Sequence, residues 1–178
     1  MEDREVPTLI EIERKIKRID NLRDKALISF LYLSGARVSE VVMKLKVKDI
    51  KIEKQEDRLF YIFHIYTEKR REKMDVYRRV GIPFDNNQVF LDIIINYINK
   101  HQLNNSDYLF DIHRRTAYRI VKKHFGFNPH FLRHTRVTHL TTMYGLNAQE
   151  LLQYIGWSDI RTASVYTHLN WKDVSRKL

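Results

Sequence analysis

The sequence predicts a mainly α-helical fold with one small antiparallel β sheet, an α+β arrangement, and three observations predict it. Apolar residues recur at helical spacing in both the first and the last parts of the chain. Between Val47 and Ile82 the spacing shortens to that of strands separated by charged turns. Glycine or a capping residue stands where most of the helical runs start or stop. With 178 residues, 43% of them hydrophobic, there is enough apolar material for one good core, so residues 1–178 are expected to form a single domain.

The first helix is expected after Pro7 and Thr8, with Ile10, Ile12, Ile16 and Ile19 along it. Asn21 has the side chain to cap a second, in which Leu22, Ala26, Leu27, Phe30 and Leu31 continue until Gly35. A third is expected from near Arg37 to about Lys44. Ile50 and Ile52, then Phe60, Ile62, Phe63 and Ile65, then Val76 and Val80 read as two or three strands. Helical spacing returns at Val89, Ile93, Ile94, Tyr97 and Ile98, and again over Thr116 to Phe125, which Gly126 ends. The remainder reads as three short helices: His130 to Met143, Asn147 to Ile155, and a last one opened by Ser158 and Asp159 that carries Tyr166.

Thirty-two Lys and Arg face 22 Asp and Glu, a net charge of +10, which favours a polyanionic partner, nucleic acid being the commonest. The chain has no cysteine, which excludes disulfides, thiolate zinc sites and cysteine nucleophiles and suits the cytoplasm, of a prokaryotic cell or of a virus-infected host. Met1 to Val6 is charged, and no run approaches the roughly 18 apolar residues of a membrane span. No targeting signal, membrane anchor, flexible linker, low-complexity tract or repeat is read.

Three separated patches carry chemistry. Gly35-Ala36-Arg37-Val38-Ser39-Glu40 puts an arginine at a break between apolar helices, where pairing with Glu40 in a first helical turn is the plainest reading. His130-Phe131-Leu132-Arg133-His134 follows Asn128-Pro129, and one helical turn brings His130 and Arg133 together. His130 and His134 also have the spacing of a helical metal pair. The metalloprotease form needs Glu after the first His, however; Phe131 stands there, and no cysteine can complete a site. The third patch runs from Gly156-Trp157-Ser158-Asp159 to Tyr166-Thr167-His168, and alone its tyrosine reads equally well as a core residue.

Together, in type, order and approximate spacing, the patches resemble the tyrosine recombinase family, which includes phage integrases and Xer-type resolvases. That family carries an arginine in a G-x-R-x-x-E setting, a lysine on a β hairpin, H-x-L-R-H, and G-H or G-W shortly before Y-T-H. The resemblance runs from about Thr8 to Leu169. It implies the family's catalytic-domain fold, with Arg37, His130, Arg133, Trp157 and Tyr166 as catalytic residues and Glu40 as a supporting carboxylate. Trp157 stands where many relatives have histidine; an indole N–H can donate to a phosphate oxygen but cannot exchange a proton. The hairpin lysine has two candidates. Lys69 follows Ile65-Tyr66-Thr67-Glu68 at a strand end and is chosen, with Lys73 further into the turn.

The chemistry these residues would perform follows from their types. Arg37 and Arg133 would clamp the non-bridging oxygens of a phosphodiester attacked in line. A phenol with an ordinary pKa of about 10 needs positive charge or a base near it to become a nucleophile. His130 is the candidate acceptor for the Tyr166 proton, and Lys69 the candidate acid for the departing 5′-hydroxyl. The resemblance implies a 3′-phosphotyrosine product that reseals without ATP, and neither cofactor nor metal ion, since two guanidinium groups supply the charge that magnesium supplies in many nucleases.

Arg114, Arg115, Arg119, Lys122 and Lys123 put further positive charge on or beside one helix, and Arg70 and Lys73 on the charged turn; double-stranded DNA phosphates are their candidate partner. The resemblance also implies self-association into a dimer or tetramer on DNA. The helical domain that precedes the catalytic domain in most family members is expected to be absent from this sequence. Three functions share these residues: a site-specific recombinase or integrase, which leads; a type IB topoisomerase-like relaxing enzyme; and a non-cleaving DNA-binding regulator.

Overall fold

The computed structural model describes residues 5–67 and 76–167. Thr8 opens α1 (Leu9–Lys17) with a reciprocal capping box: its hydroxyl accepts from the Glu11 amide and the Glu11 carboxylate accepts from the Thr8 amide at 2.7 Å. Ile12 and Ile16 turn inward, whereas Ile10 is 68% exposed and does not belong to the buried face. Asn21 caps α2 (Leu22–Ser34), and Gly35 ends it in a left-handed conformation at φ 58°. From Ala26 to Ser34 every side chain of α2 is buried, because the helix is apolar nearly all round and is wrapped by other elements. It touches α1, α4 (Gln88–Lys100), α5 (Arg114–Phe125) and α6 (Pro129–Thr142). Phe30 binds this helix to the sheet, its ring 4.6 Å from that of Phe63.

The third helix is much shorter than expected: α3 is Val38–Val41, with Arg37 as its N-cap. The chain leaves it because Met43 takes a left-handed φ of 54° and gives its amide to the Phe110 carbonyl, which breaks the helical ladder. After a 3-10 turn at Val47–Asp49 come three strands, β1 (Ile50–Gln55), β2 (Arg58–Thr67) and β3 (Val76–Pro83), antiparallel in the order β1-β2-β3. In β2, Tyr61, Phe63, Ile65 and Thr67 lie on the buried face, and in β3 Arg78, Val80 and Ile82 do the same. β1 is an edge strand, and Ile52 there is 58% exposed. The connection from Thr67 to Val76, with Lys69, Arg70 and Lys73, lies outside the described residues.

The later helices begin and end near their expected places with two differences. α5 starts at Arg114, so that Arg114 and Arg115 occupy its first turn, and Gly126 ends it. After α6 and α7 (Ala148–Ile155), the last helix α8 is only Ile160–Ser164, so Tyr166 is not carried within it. Asp159 caps α8 as expected; the helix simply stops, and Tyr166 sits in the turn that follows, its amide bonded to the Ala163 carbonyl at 3.0 Å.

Two apolar clusters organise these elements. The larger joins α1 to α5 with the sheet; the smaller, of Val137, Leu140, Leu151, Ile155 and Ala163, joins α6, α7 and α8. Trp157 and Tyr166 pack on the smaller cluster, while Arg37 and Glu40 rise from the larger one. α3 lies against β2 and α7 against β3, which brings the loops following α2 and α7 together.

Candidate active site

Glu40 is the hub. It is 1% exposed, and its carboxylate accepts from the Arg37 amide at 2.8 Å and from Arg37 Nη1 at 3.1 Å, so the pairing expected from sequence is present. Arg78 Nη2 donates to Glu40 Oε2 at 3.3 Å, and Arg133 Nη1 stands 3.9 Å from the same oxygen. Among the described residues, three guanidinium groups therefore share one carboxylate. The excess positive charge is held in a region where charge is costly, and an incoming anion would relieve it.

Backbone carbonyls make up part of the deficit. Arg133 donates to the Gly35 carbonyl at 2.5 Å and to the Ile155 carbonyl at 3.2 Å; Arg78 donates to the Ser34 carbonyl at 3.4 Å and to that of Tyr154. These carbonyls belong to the C-terminal ends of α2 and α7, where the helix dipole is negative. Burial first, and the neighbouring Arg37 charge second, hold the Arg133 guanidinium below its ordinary pKa, with Glu40 opposing. Gly35 is required here: at φ 58°, an added Cβ would stand 2.6 Å from Ile155 Cδ1.

Tyr166 lies half-buried on the other side of Arg133. Its hydroxyl is 2.9 Å from His134 Nδ1, and its ring stacks on Trp157 with centroids 5.6 Å apart and planes 23° from parallel. The Arg133 guanidinium lies 5.7 Å from the Trp157 ring centroid. Burial raises the Tyr166 phenol above its ordinary value, against a smaller lowering by Arg133, so the phenol keeps its proton at neutral pH. Burial lowers His134, which is therefore a neutral imidazole able to accept a proton from it, provided Nε2 carries the ring hydrogen.

His130 takes a different position from the one its expected role requires. Its Nε2 is 3.1 Å from the Tyr118 hydroxyl, while His134, one turn further along α6, faces Tyr166. Residues four apart on a helix lie on one face, and here the second of the pair points at the phenol. Burial, then Arg133, Arg37 and Arg114, lower the His130 pKa, which places it near the arginine group. The structure thus gathers Arg37, Glu40, Arg133, Trp157 and Tyr166, with His130 at the margin, and adds His134 and Arg78, which the sequence reading had not singled out for these places. No group of three or more His, Asp or Glu among the described residues has the arrangement of a metal site.

Comparison with known proteins identifies the family. The model of the phage integrase family matches residues 1–173. Tyrosine recombinase XerD of Rickettsia bellii is 30% identical, covering 89% of this chain and 56% of the relative. Tyrosine recombinase XerA of Pyrococcus horikoshii is 31% identical, covering 91% and 56%. The chain thus spans little more than half the length of these relatives. Among solved structures, the XerH site-specific recombinase bound to difH substrate in a pre-cleavage complex superposes with a TM-score of 0.71 at 20% identity, covering 95% of this chain and 51% of that one. The XerA recombinase gives 0.69 at 23% identity, covering 98% and 64%. With the match to the family model running over nearly all of its length, the chain belongs to the phage integrase family, the tyrosine recombinases.

Proposed function

We propose that the chain is the catalytic part of a site-specific recombinase or integrase that cuts and rejoins double-stranded DNA through Tyr166. The observation that carries this reading is the hydrogen bond from the Tyr166 hydroxyl to a neutral His134, set beside a cluster of arginines in excess of their carboxylate. Arg37 and Arg133 grip the non-bridging oxygens of the scissile phosphate, and the Trp157 indole N–H adds a donor. His134 takes the phenol proton as the Tyr166 oxygen forms its bond to phosphorus. The bond to the 5′-oxygen breaks, and Lys69, the residue that the family resemblance favours over Lys73, protonates the leaving hydroxyl. The phosphodiester energy is kept in the 3′-phosphotyrosine, so attack by a second 5′-hydroxyl reverses the steps without ATP. His130, bonded to Tyr118 and close to the arginines, serves the phosphate side of the site.

Incubating the chain with a nicked duplex, without metal, should give an adduct that survives denaturation, and peptide mapping should place the nucleotide on Tyr166. No adduct on duplexes carrying the cognate site, or an adduct on another residue, would falsify the reading. The acid limb of the cleavage rate provides a second check. A base whose pKa is lowered is active above that value, so the rate should fall about tenfold per pH unit once the pH drops below a midpoint that lies under the ordinary histidine value near 6.5. His134→Gln should remove this limb; a limb that persists in that variant assigns it to another group.

DNA phosphates are the proposed partners of α5. Arg114, Arg115, Arg119, Lys122 and Lys123 are all exposed on it, and the first turn holds two arginines and no acidic residue. Cations at a helix N-terminus oppose the dipole by about 0.3–1 kcal/mol each, a cost that an anion seated there offsets. Duplex affinity should fall steeply with salt, and Arg115→Ala or Arg119→Ala should each flatten the log–log slope by about one unit. A slope unchanged in both variants places the duplex elsewhere. Because each cut strand consumes one Tyr166, exchange between two duplexes calls for self-association of several copies on DNA.

A further inference from the structure

The Arg78 and Arg133 contacts run in parallel. Arg78 spans the carbonyls of Ser34 and Tyr154; Arg133 spans those of Gly35 and Ile155, one residue further along each helix end. Both reach toward Glu40 Oε2, Arg78 at 3.3 Å and Arg133 at 3.9 Å. Only Arg133 borders the nucleophile, over Trp157 and near Tyr166; Arg78 lies behind Glu40 on β3. Arg78 also supports the loop that presents Trp157, since a Cβ on Gly156 would meet its Cδ at 2.6 Å and its Nε at 2.9 Å.

We propose that Arg78 is a positioning residue for the strand-transfer site: by occupying Glu40 and the first pair of helix-end carbonyls, it keeps Arg133 loosely paired and available to the scissile phosphate. The inference rests on the function proposed above and deepens it. Two cations compete for one carboxylate oxygen, and the closer of them gains more from it. Without Arg78, that oxygen is left to the Arg37 amide and to Arg133, which is drawn inward and away from the phosphate. The site also loses one unit of positive charge, and the loop before Trp157 loses the side chain packed against it. Burial lowers the Arg78 pKa and Glu40 opposes this, as befits a cation kept in place by its fixed partners.

The test compares wild type, Arg78→Met and Arg78→Lys in two ways. The first is cleavage of a nicked duplex at saturating concentration, with either a normal phosphodiester or a neutral methylphosphonate at the scissile position. The second is the Nε–Hε signal of Arg133 in isotope-labelled protein without DNA. Arg78→Met should slow cleavage of the normal duplex by about a hundredfold. DNA affinity should stay within about twofold, because the Arg78 side chain is buried. On the methylphosphonate, which needs less positive charge, the loss should shrink below about tenfold. The Arg133 signal should move toward that of a carboxylate-paired guanidinium, with Arg78→Lys intermediate because it keeps the charge but not the fork. An unmoved Arg133 signal in a folded variant, an equal loss on both substrates, or collapse of both variants overturns the proposal. Failure of the wild type to form an adduct overturns the strand-transfer reading instead, and the Arg133 signal then decides the relation between the two arginines alone.

Discussion

Tyr166→Phe is expected to abolish the covalent DNA adduct entirely while leaving the fold and duplex binding nearly intact. Phenylalanine keeps the ring that stacks on Trp157 and fills the same place on the small cluster of α6, α7 and α8. What it removes is the oxygen proposed to bond to phosphorus and the hydrogen bond to His134. A single hydrogen bond at a half-buried site is worth about 0.5–1.5 kcal/mol, so melting should change by only a few degrees. Chemistry should instead fall to background, because among the described residues the Tyr166 hydroxyl is the one hydrogen-bonded to His134 beside Arg133. A denaturing gel for the adduct, a binding titration and a melting curve together make the measurement. An adduct that persists at wild-type rate moves the nucleophile elsewhere, and a large loss of stability makes Tyr166 a packing residue first.

Glu40→Ala should have the opposite profile, with stability and cleavage lost together. The carboxylate is 1% exposed and is the shared partner of Arg37, Arg78 and Arg133. Removing it leaves buried cations uncompensated, which costs about 3–5 kcal/mol when one member of a buried pair is deleted. Arg37 loses the contact with its own amide as well as the side-chain pair, so the N-cap of α3 loosens along with the clamp. Chemical denaturation should report the stability loss, and cleavage under conditions where the variant remains folded should still be depressed by at least about a hundredfold. A variant as stable as wild type would show that the carbonyls alone suffice to hold the arginines.

Much of the fold was legible because its signals are local. Thr8, Asn21, Asn147 and Asp159 cap the helices they precede, and Gly35, Gly126 and Gly156 end theirs in left-handed geometry. The short α3 was not legible, since its end depends on Met43 reaching the distant Phe110 carbonyl. Nor was the end of α8 before Tyr166, where pattern gives no stop signal. In the site, Arg37 with Glu40 could be read from spacing, but the convergence of α2 and α7 on Arg133 is tertiary. Arg78 did leave a trace: it shares the alternation of Val80 and Ile82, so an arginine sits in the buried register of a strand. His134 was visible as the second member of a four-residue histidine pair, and only the packing of α8 against α7 decides which histidine meets the phenol.

Holding the inner arginines largely by peptide carbonyls has a consequence for how the site behaves as its surroundings change. A carboxylate placed beside each guanidinium would anchor it but cancel its field, and an approaching phosphate would then meet a neutral surface. Carbonyl dipoles anchor the same groups and leave their charge uncancelled at longer range. They also do not titrate, so the grip of Gly35 and Ile155 on Arg133 is the same in acid as at neutrality. Side chains at those backbone positions contribute nothing to that grip, so the identity of Ile155 is set by packing and that of Gly35 by its left-handed backbone and the closeness of Ile155.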